Sequence, residues 1–211
     1  MTDIRRALRL YLVTDPGLCL ETGLMETVRT AVAGGVTMVQ LRDKTGTRAD
    51  RIAAAKTLKD VLQGTGVPLL VNDDVEAAIQ ADADGAHIGQ DDLTPTEARA
   101  LLGADKLLGL SCETAGTVQA ADPTIVDYLG LGPVFATATK HDHKTPLGFD
   151  GLSKLTSLST LPSVAIGGLG PDHTDKVLES GADGLAVVSA ICGQPDPEAA
   201  ARAFFQKRTQ P

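Results

Sequence analysis

Tryptophan is absent, and aromatic residues of every kind make up 3% of the chain. Proteins that grip single strands by stacking bases need exposed rings, so this composition argues against such a platform. Basic residues are outnumbered: 19 Lys and Arg stand against 27 Asp and Glu, a formal charge of −8. A sequence-independent hold on nucleic acid or an anionic membrane needs a net basic surface, so neither is an expected partner. Any anionic ligand must then find its counter-charge locally. Cysteine is sparse as well. Cys19, Cys112 and Cys192 form an odd, scattered set without C-x-x-C spacing, which reads as reduced thiols rather than a disulfide frame. No stretch approaches the roughly 18 apolar residues of a membrane span, and Met1 to Leu12 carries arginines but no apolar core of a secretory signal. A soluble, cytoplasmic protein is the expectation.

What is present is a regular alternation. The 211 residues suit one domain with a sizeable core. Eight short runs rich in Val, Ile and Leu read as strands: LYLVTD (10–15), MVQLRD (38–43), PLLVND (68–73), AHIGQ (86–90), LLGLSC (107–112), DYLGLG (127–132), SVAIGG (163–168) and GLAVVS (184–189). Their nearly continuous apolar character fits parallel strands covered on both faces. Amphipathic stretches fill the gaps, opening at signals such as Thr94-Pro95-Thr96-Glu97 and Pro171-Asp172 and stopping at Gly34-Gly35 and Gly181. Eight strand–helix units in strict order predict an α/β fold, a single (β/α)₈ TIM barrel. An open doubly wound sheet is the alternative, but no G-x-G-x-x-G follows the first strand. The phrases AGGVTMVQLR, ADADGAHIG and ESGADGLAVVS share a small-residue turn before a strand, a weak internal similarity.

Barrel chemistry gathers at the C-terminal ends of the strands. The second strand ends Gln40-Leu41-Arg42-Asp43-Lys44, and alternation puts Gln40, Arg42 and Lys44 on one face. Two inward cations are costly unless an anion compensates them, which points to phosphate or pyrophosphate; an ion-paired rim is the other possibility. The third strand ends Asn72-Asp73-Asp74 and the fourth Gln90-Asp91-Asp92. Neighbouring strands lie about 4.8 Å apart, so Asp73 and Asp92 can converge on one Mg²⁺. Either acidic pair alone reads better as a helix N-cap, with Asp74 for the helix that follows and Asp91 or Asp92 for the next; two pairs on successive strand ends beside Arg42 and Lys44 favour a metal with polyphosphate. Gly167-Gly168 after strand seven, with Val188-Ser189 after strand eight, stands where this fold cradles phosphate on backbone N–H groups near a helix N-terminus. The long connection after strand six holds Thr137, Thr139 and Lys140, able to donate to anionic oxygens as a lid. His141 and His143 lack a third ligand at metal spacing. His87, inside an apolar strand, reads as a satisfied core histidine, while Ser111 at the end of strand five has a hydroxyl able to donate to a ligand. Cys112 has no evident base partner.

Taken in order, VQLRDK, VNDD, HIGQDD, LGLS, GLGPVFATATK, AIGG and VVSAI resemble the thiamine-phosphate synthase family. That resemblance covers nearly the whole chain. It implies a TIM barrel that joins a pyrimidine methyl diphosphate to a thiazole phosphate, or its carboxylated form, and releases pyrophosphate with Mg²⁺ as cofactor. It further implies that Gln40, Arg42, Lys44, Asn72, Ser111 and Lys140 hold the pyrimidine diphosphate, with Arg42, Lys44, Lys140 and Ser111 closest to the chemistry. Asp73 and Asp92 would bind the metal. Thr137, Thr139, Gly168, Val188 and Ser189 would hold the thiazole phosphate. Cys112-Glu113 departs from the family's usual residues and receives no role. Two rival functions remain: a thiazole tautomerase or similar phosphate-binding isomerase, and a non-catalytic regulatory barrel. The intact VNDD and GQDD favour the synthase over the first, and the second leaves the acidic strand ends beside Arg42 and Lys44 unexplained. A homo-oligomer stays open.

Overall fold

Four-residue strands cannot stand alone, and here eight short parallel strands close on one another. The computed structural model describes residues 3–137 and 145–206. In chain order the elements are α1 (Ile4–Ala7), β1 (Leu10–Val13), α2 (Leu24–Ala33), β2 (Met38–Leu41), α3 (Arg48–Leu62), β3 (Leu69–Asn72), α4 (Val75–Gln80), β4 (Gly85–Ile88) and α5 (Pro95–Leu102). They continue with β5 (Leu107–Cys112), α6 (Ala115–Ala120), β6 (Tyr128–Leu131), α7 (Gly148–Thr156), β7 (Ser163–Ile166), α8 (Thr174–Glu179), β8 (Gly184–Val187) and α9 (Pro197–Arg202). Each strand pairs in parallel with the next, and β8 returns to β1, making the closed barrel that the alternation predicts.

The register decides which side chains face inward. Going round, the inward partners are Tyr11 with Met38, Gln40 with Leu70, Asn72 with His87, Gly109 and Tyr128, Gly130 with Val164, and Ile166 with Ala186 and Tyr11. Within β2, β3, β6 and β7 the path climbs two residues, and four such steps make the shear of eight of this fold. Tyr11, Val13, Met38, Leu70, Tyr128, Val164 and Ala186 accordingly form the lumen cluster. Their alternates, among them Leu12, Val39, Val71, Ile88, Leu108, Leu129 and Leu185, form the larger core between strands and helices.

The short helix α1 is not foreseen in the sequence, because four residues are too few to show a helical period. Asp3 caps it by accepting the Arg6 N–H, and Ala7 and Leu8 plug the N-terminal end of the lumen. That end is stitched in a repeating way. The residue before each even strand accepts an N–H from the first or second residue of the preceding odd strand: Thr37 from Leu10, Asp84 from Leu69, Asp127 from Leu108 and Asp183 from Ser163, at 2.7–2.9 Å. This is the structural content of the weak internal similarity around AGGVT, ADADG and SGADG.

Helix starts follow their sequence signals. Thr47 and Thr94 make capping boxes with Asp50 and Glu97, and Asp74 accepts the Ala77 N–H at the head of α4. Asp91 and Asp92 cap nothing: the Thr-Pro-x-Glu signal two residues on wins, because it satisfies two orphan N–H groups reciprocally. Seven of the eight strands stop short of the expected C-terminal limit, whose residues turn away into the loops. All three cysteines are free and buried. Among the described residues no helix is long and apolar enough to cross a membrane.

Gly109 leaves room for two rings, since a Cβ there would fall well inside contact distance of the Tyr128 ring and His87 Nδ1. Gly109→Ala is expected to lower stability by about 2 kcal/mol through overpacking. Urea unfolding measures this, and an unchanged midpoint would mean the rings move aside freely.

Candidate active site

At the C-terminal ends of the strands a cavity of about 550 Å³ opens into the upper half of the lumen. Its floor is the inward row of the barrel, from Tyr11 and Gln40 through His87 and Ser111 to Val164 and Ile166. Every sequence-predicted site residue that the structure describes lines this one cavity: Gln40, Arg42, Lys44, Asn72, Asp73, Asp92, Ser111, Thr137, Gly168, Val188 and Ser189. Thr139 and Lys140, like His141 and His143, lie outside the described residues, as does most of the expected lid.

The cationic side is built on the exit from β2. Arg42 is held by its backbone N–H on Thr14 Oγ1 at 3.1 Å, and its guanidinium stands 3.9 Å from Asp15. Beyond it the chain makes a tight turn, with Asp43 accepting the N–H groups of Thr45 and Gly46 at 2.9 and 2.8 Å. Those bonds, Gly46 first, hold the Asp43 carboxyl below the usual range. Arg51 of α3 ties the turn down by donating to the Gly46 carbonyl at 2.7 Å. The turn presents Lys44, whose ammonium is hydrogen-bonded to Asp73.

Two adjacent acids at the end of β3 have different fates. Asp74 is the helix cap, paired with Arg48 and Arg51 at 3.0 and 2.8 Å. Burial opposes its ionisation, yet the Ala77 N–H and both guanidiniums hold its carboxyl low. Asp73 takes a left-handed backbone, φ 61°, uncommon for a residue with a Cβ. That turn carries its carboxylate to the cavity and against Asp92. Asp92 accepts the Gly89 N–H at 2.7 Å. Burial, and then the neighbouring Asp73 carboxylate, push its pKa up. Two carboxylates held together beside a single lysine fit a divalent cation. Among the described residues no cluster of three or more His, Cys, Asp or Glu assembles. A pair of hard oxygen donors with open positions for water and ligand phosphate suits Mg²⁺ better than a thiol- or imidazole-seeking metal.

The opposite wall is backbone. Gly167 and Gly168 both have positive φ, 103° and 64°, and a Cβ on Gly168 would press on Phe135 and the Ala136 carbonyl at 2.8 Å. The glycine pair thus keeps this wall open and packed against the β6–α7 connection. After β8 the expected nearby helix N-terminus is replaced by one helical turn, with the Cys192 N–H on the Val188 carbonyl at 2.8 Å. Helix α9 begins only at Pro197.

Several cavity residues escape a reading of strand ends. Tyr11 and Tyr128 lie within strands β1 and β6 and look apolar in sequence, but their hydroxyls meet in the lumen at 2.9 Å. Burial pushes both phenols up, so each keeps its hydrogen. His87 is a satisfied core histidine as expected, and it also reaches Ser111 Oγ at 2.9 Å. Gln90 donates to the Ser111 carbonyl at 2.6 Å. Glu113 lines the cavity too. Cys112 is a bystander: burial pushes its thiol up to about 11, and it faces the Thr117 carbonyl.

Comparison with known proteins adds three findings. The family model described as thiamine monophosphate synthase matches residues 10–191. Proteins called thiamine-phosphate synthase from Psychrobacter sp. and Xanthobacter autotrophicus are each 50% identical, over 96% and 93% of both chains respectively. A solved structure described as thiamine phosphate pyrophosphorylase, from Pyrococcus furiosus, is similar with a TM-score of 0.87 and 32% identity over 96% of each chain.

Neutralising one member of the acidic pair relieves like-charge repulsion. Asp92→Asn, which can still accept the Gly89 N–H, is expected to raise stability by up to about 1 kcal/mol in metal-free buffer, water screening the rest. Thermal unfolding in the presence of a chelator measures this, and a lower midpoint would show that the pair is not under repulsion.

Proposed function

This chain belongs to the thiamine monophosphate synthase family, and on that footing we propose that it joins a 4-amino-2-methylpyrimidine methyl diphosphate to a thiazole phosphate, giving thiamine phosphate and pyrophosphate. The family makes it a transferase. The convergence of Arg42, Lys44, Asp73 and Asp92 on one side of a single cavity, with Gly168, Val188 and Ser189 on the same rim, carries this reading. Two phosphorylated substrates need two anion sites in one chamber, and the cationic turn after β2 and the glycine-lined wall after β7 supply them. An acidic protein can bind anions in this way because the field at the mouth is local.

The chemistry is a dissociative substitution. The bond between the pyrimidine methylene and the diphosphate oxygen breaks, its electron pair leaves with pyrophosphate, and the ring amino group delocalises the positive charge on carbon. The thiazole nitrogen then donates its lone pair to form the new carbon–nitrogen bond. No protein nucleophile is required. Arg42 and Lys44 stabilise charge on the departing diphosphate, with Lys140 beside them as the family resemblance implies. Asp73 and Asp92 would hold a magnesium ion, which when bound neutralises phosphate charge. Gln40, Asn72 and Ser111 orient the pyrimidine, and Thr137, Thr139, Gly168, Val188 and Ser189 receive the thiazole phosphate. Holding both rings in one chamber removes most of the entropic cost of their encounter.

Purified protein given both substrates and Mg²⁺ is expected to form thiamine phosphate and pyrophosphate in equal amounts, and absence of both products would end the proposal. Arg42→Ala should lower the rate by about 10²-fold, roughly 3 kcal/mol of lost charge stabilisation. Asp73→Ala should abolish activity together with its Mg²⁺ dependence, and a variant with a normal Mg²⁺ titration would remove Asp73 from the metal.

A further inference from the structure

The floor of the cavity rests on an unbroken hydrogen-bond chain that crosses the barrel. Gln40 Nε2 donates to Tyr11 Oη at 2.7 Å, Tyr11 Oη lies 2.9 Å from Tyr128 Oη, Tyr128 Oη lies 2.9 Å from His87 Nδ1, and His87 Nε2 lies 2.9 Å from Ser111 Oγ. Tyr11, Tyr128, Gln40 and His87 are 1, 0, 4 and 8% exposed, and Ser111 is half-buried at the cavity. The glycines at 109 and 130 make this column possible, since a Cβ at either would press on the His87 ring.

Counting hydrogens gives the chain a direction. An amide nitrogen donates only, so Tyr11 Oη accepts from Gln40 and its own hydrogen goes to Tyr128. Tyr128, already accepting, gives its single hydrogen to His87 Nδ1. An imidazole nitrogen that accepts carries no hydrogen, so the ring holds its hydrogen on Nε2 and donates it to Ser111 Oγ. The two ends are then unlike. Among the described residues no buried side-chain polar atom lacks a partner, so Gln40 Oε1, which the chain does not use, opens on the cavity as an acceptor. The Ser111 hydroxyl, already accepting, has its hydrogen left to donate.

We propose that Tyr11, Tyr128 and His87 are positioning residues that set the polarity of the cavity floor, holding Gln40 as an acceptor and Ser111 as a donor for a heterocycle that offers both an amino N–H and a ring-nitrogen lone pair. This rests on the synthase reading for the identity of the ring, an aminopyrimidine, but not for the direction of the chain. A buried network with one proton order discriminates sharply, because a ring with donor and acceptor exchanged would leave groups at both ends unpaired. Tyr11 and His87 stand in the cavity floor and Tyr128 behind it, and the polar atoms of all three are engaged within the chain itself. They act by removing the freedom of the Gln40 amide to turn over and of the Ser111 hydroxyl to rotate.

Two measurements test the proposal. The chain has four histidines, so nitrogen NMR of protein labelled in its imidazole rings, with His87 assigned through its backbone, reads the tautomer directly. A hydrogen on Nε2 alone is expected; a hydrogen on Nδ1, or an exchanging mixture, overturns the direction. In Tyr128→Phe, which cuts the chain at its middle, the KM for the pyrimidine diphosphate should rise about tenfold while that for the thiazole phosphate stays within about twofold. An equal change in both, or none in either, would reduce the chain to a structural role. Tyr11→Phe serves if Tyr128→Phe does not fold. If the wild-type protein makes no thiamine phosphate, the functional reading fails and the tautomer alone decides the chain.

Discussion

Closure of the barrel is the constraint on which everything else depends. Once β8 pairs with β1, strand register is no longer adjustable, because a one-residue slip at any strand would exchange its inward and outward faces. The two-residue climbs at β2, β3, β6 and β7 then order the lumen by height. Met38, Leu70 and Val164 fall low, against the plug of α1, and Gln40, Asn72, Gly130 and Ile166 fall one layer higher. The lower layer is apolar and stabilises; the upper layer carries the polar Gln40 and Asn72 and opens on the cavity. The same chain segment therefore contributes a core residue and a ligand-facing residue two positions apart.

Electrostatics follow from that geometry. Asp73 and Asp74 differ by one position yet belong to different worlds, one satisfied by a helix N-terminus and two arginines, the other turned by a left-handed backbone toward a second carboxylate. A strained backbone and a repelling acid pair at the same point are the kind of cost a fold carries where it binds something. Lys44 offsets part of that repulsion, and it can do so only because Arg51 and Asp43 hold the β2–α3 turn in place.

Much of this could be read from residues alone. Continuous Val, Ile and Leu runs separated by amphipathic stretches give all eight strands and their order, since a strand buried on both faces has no polar side to show. The limits of those runs were too generous at the C-terminal ends: Thr14-Asp15, Arg42-Asp43 and Gly167-Gly168 continue the apolar pattern poorly but follow it directly, and hydrogen bonding, not hydropathy, ends a strand. Helix α1 escaped because four residues carry no period. Asp91 and Asp92 were candidate caps because acids precede a helix there, while the stronger Thr94–Glu97 box stood beyond them. The gathering of Gln40, Arg42, Lys44, Asn72, Asp73, Asp92 and Ser111 in one cavity is legible because each lies in the last two residues of a strand or in the loop that follows it, and the fold collects such positions at one mouth.

What composition and order determined unaided is the class of fold, the end of the barrel where polar residues meet and the kind of ligand charge they face, because these depend on local pattern and on a topology with few alternatives. Only the folded molecule decided that Tyr11, Gln40, Tyr128, His87 and Ser111 share one line of hydrogen bonds, that a left-handed backbone is what turns Asp73 to Asp92, and that an isolated turn rather than a helix follows β8. Those facts join residues up to 117 positions apart, and no local pattern can carry a relation that exists only after the sheet has closed.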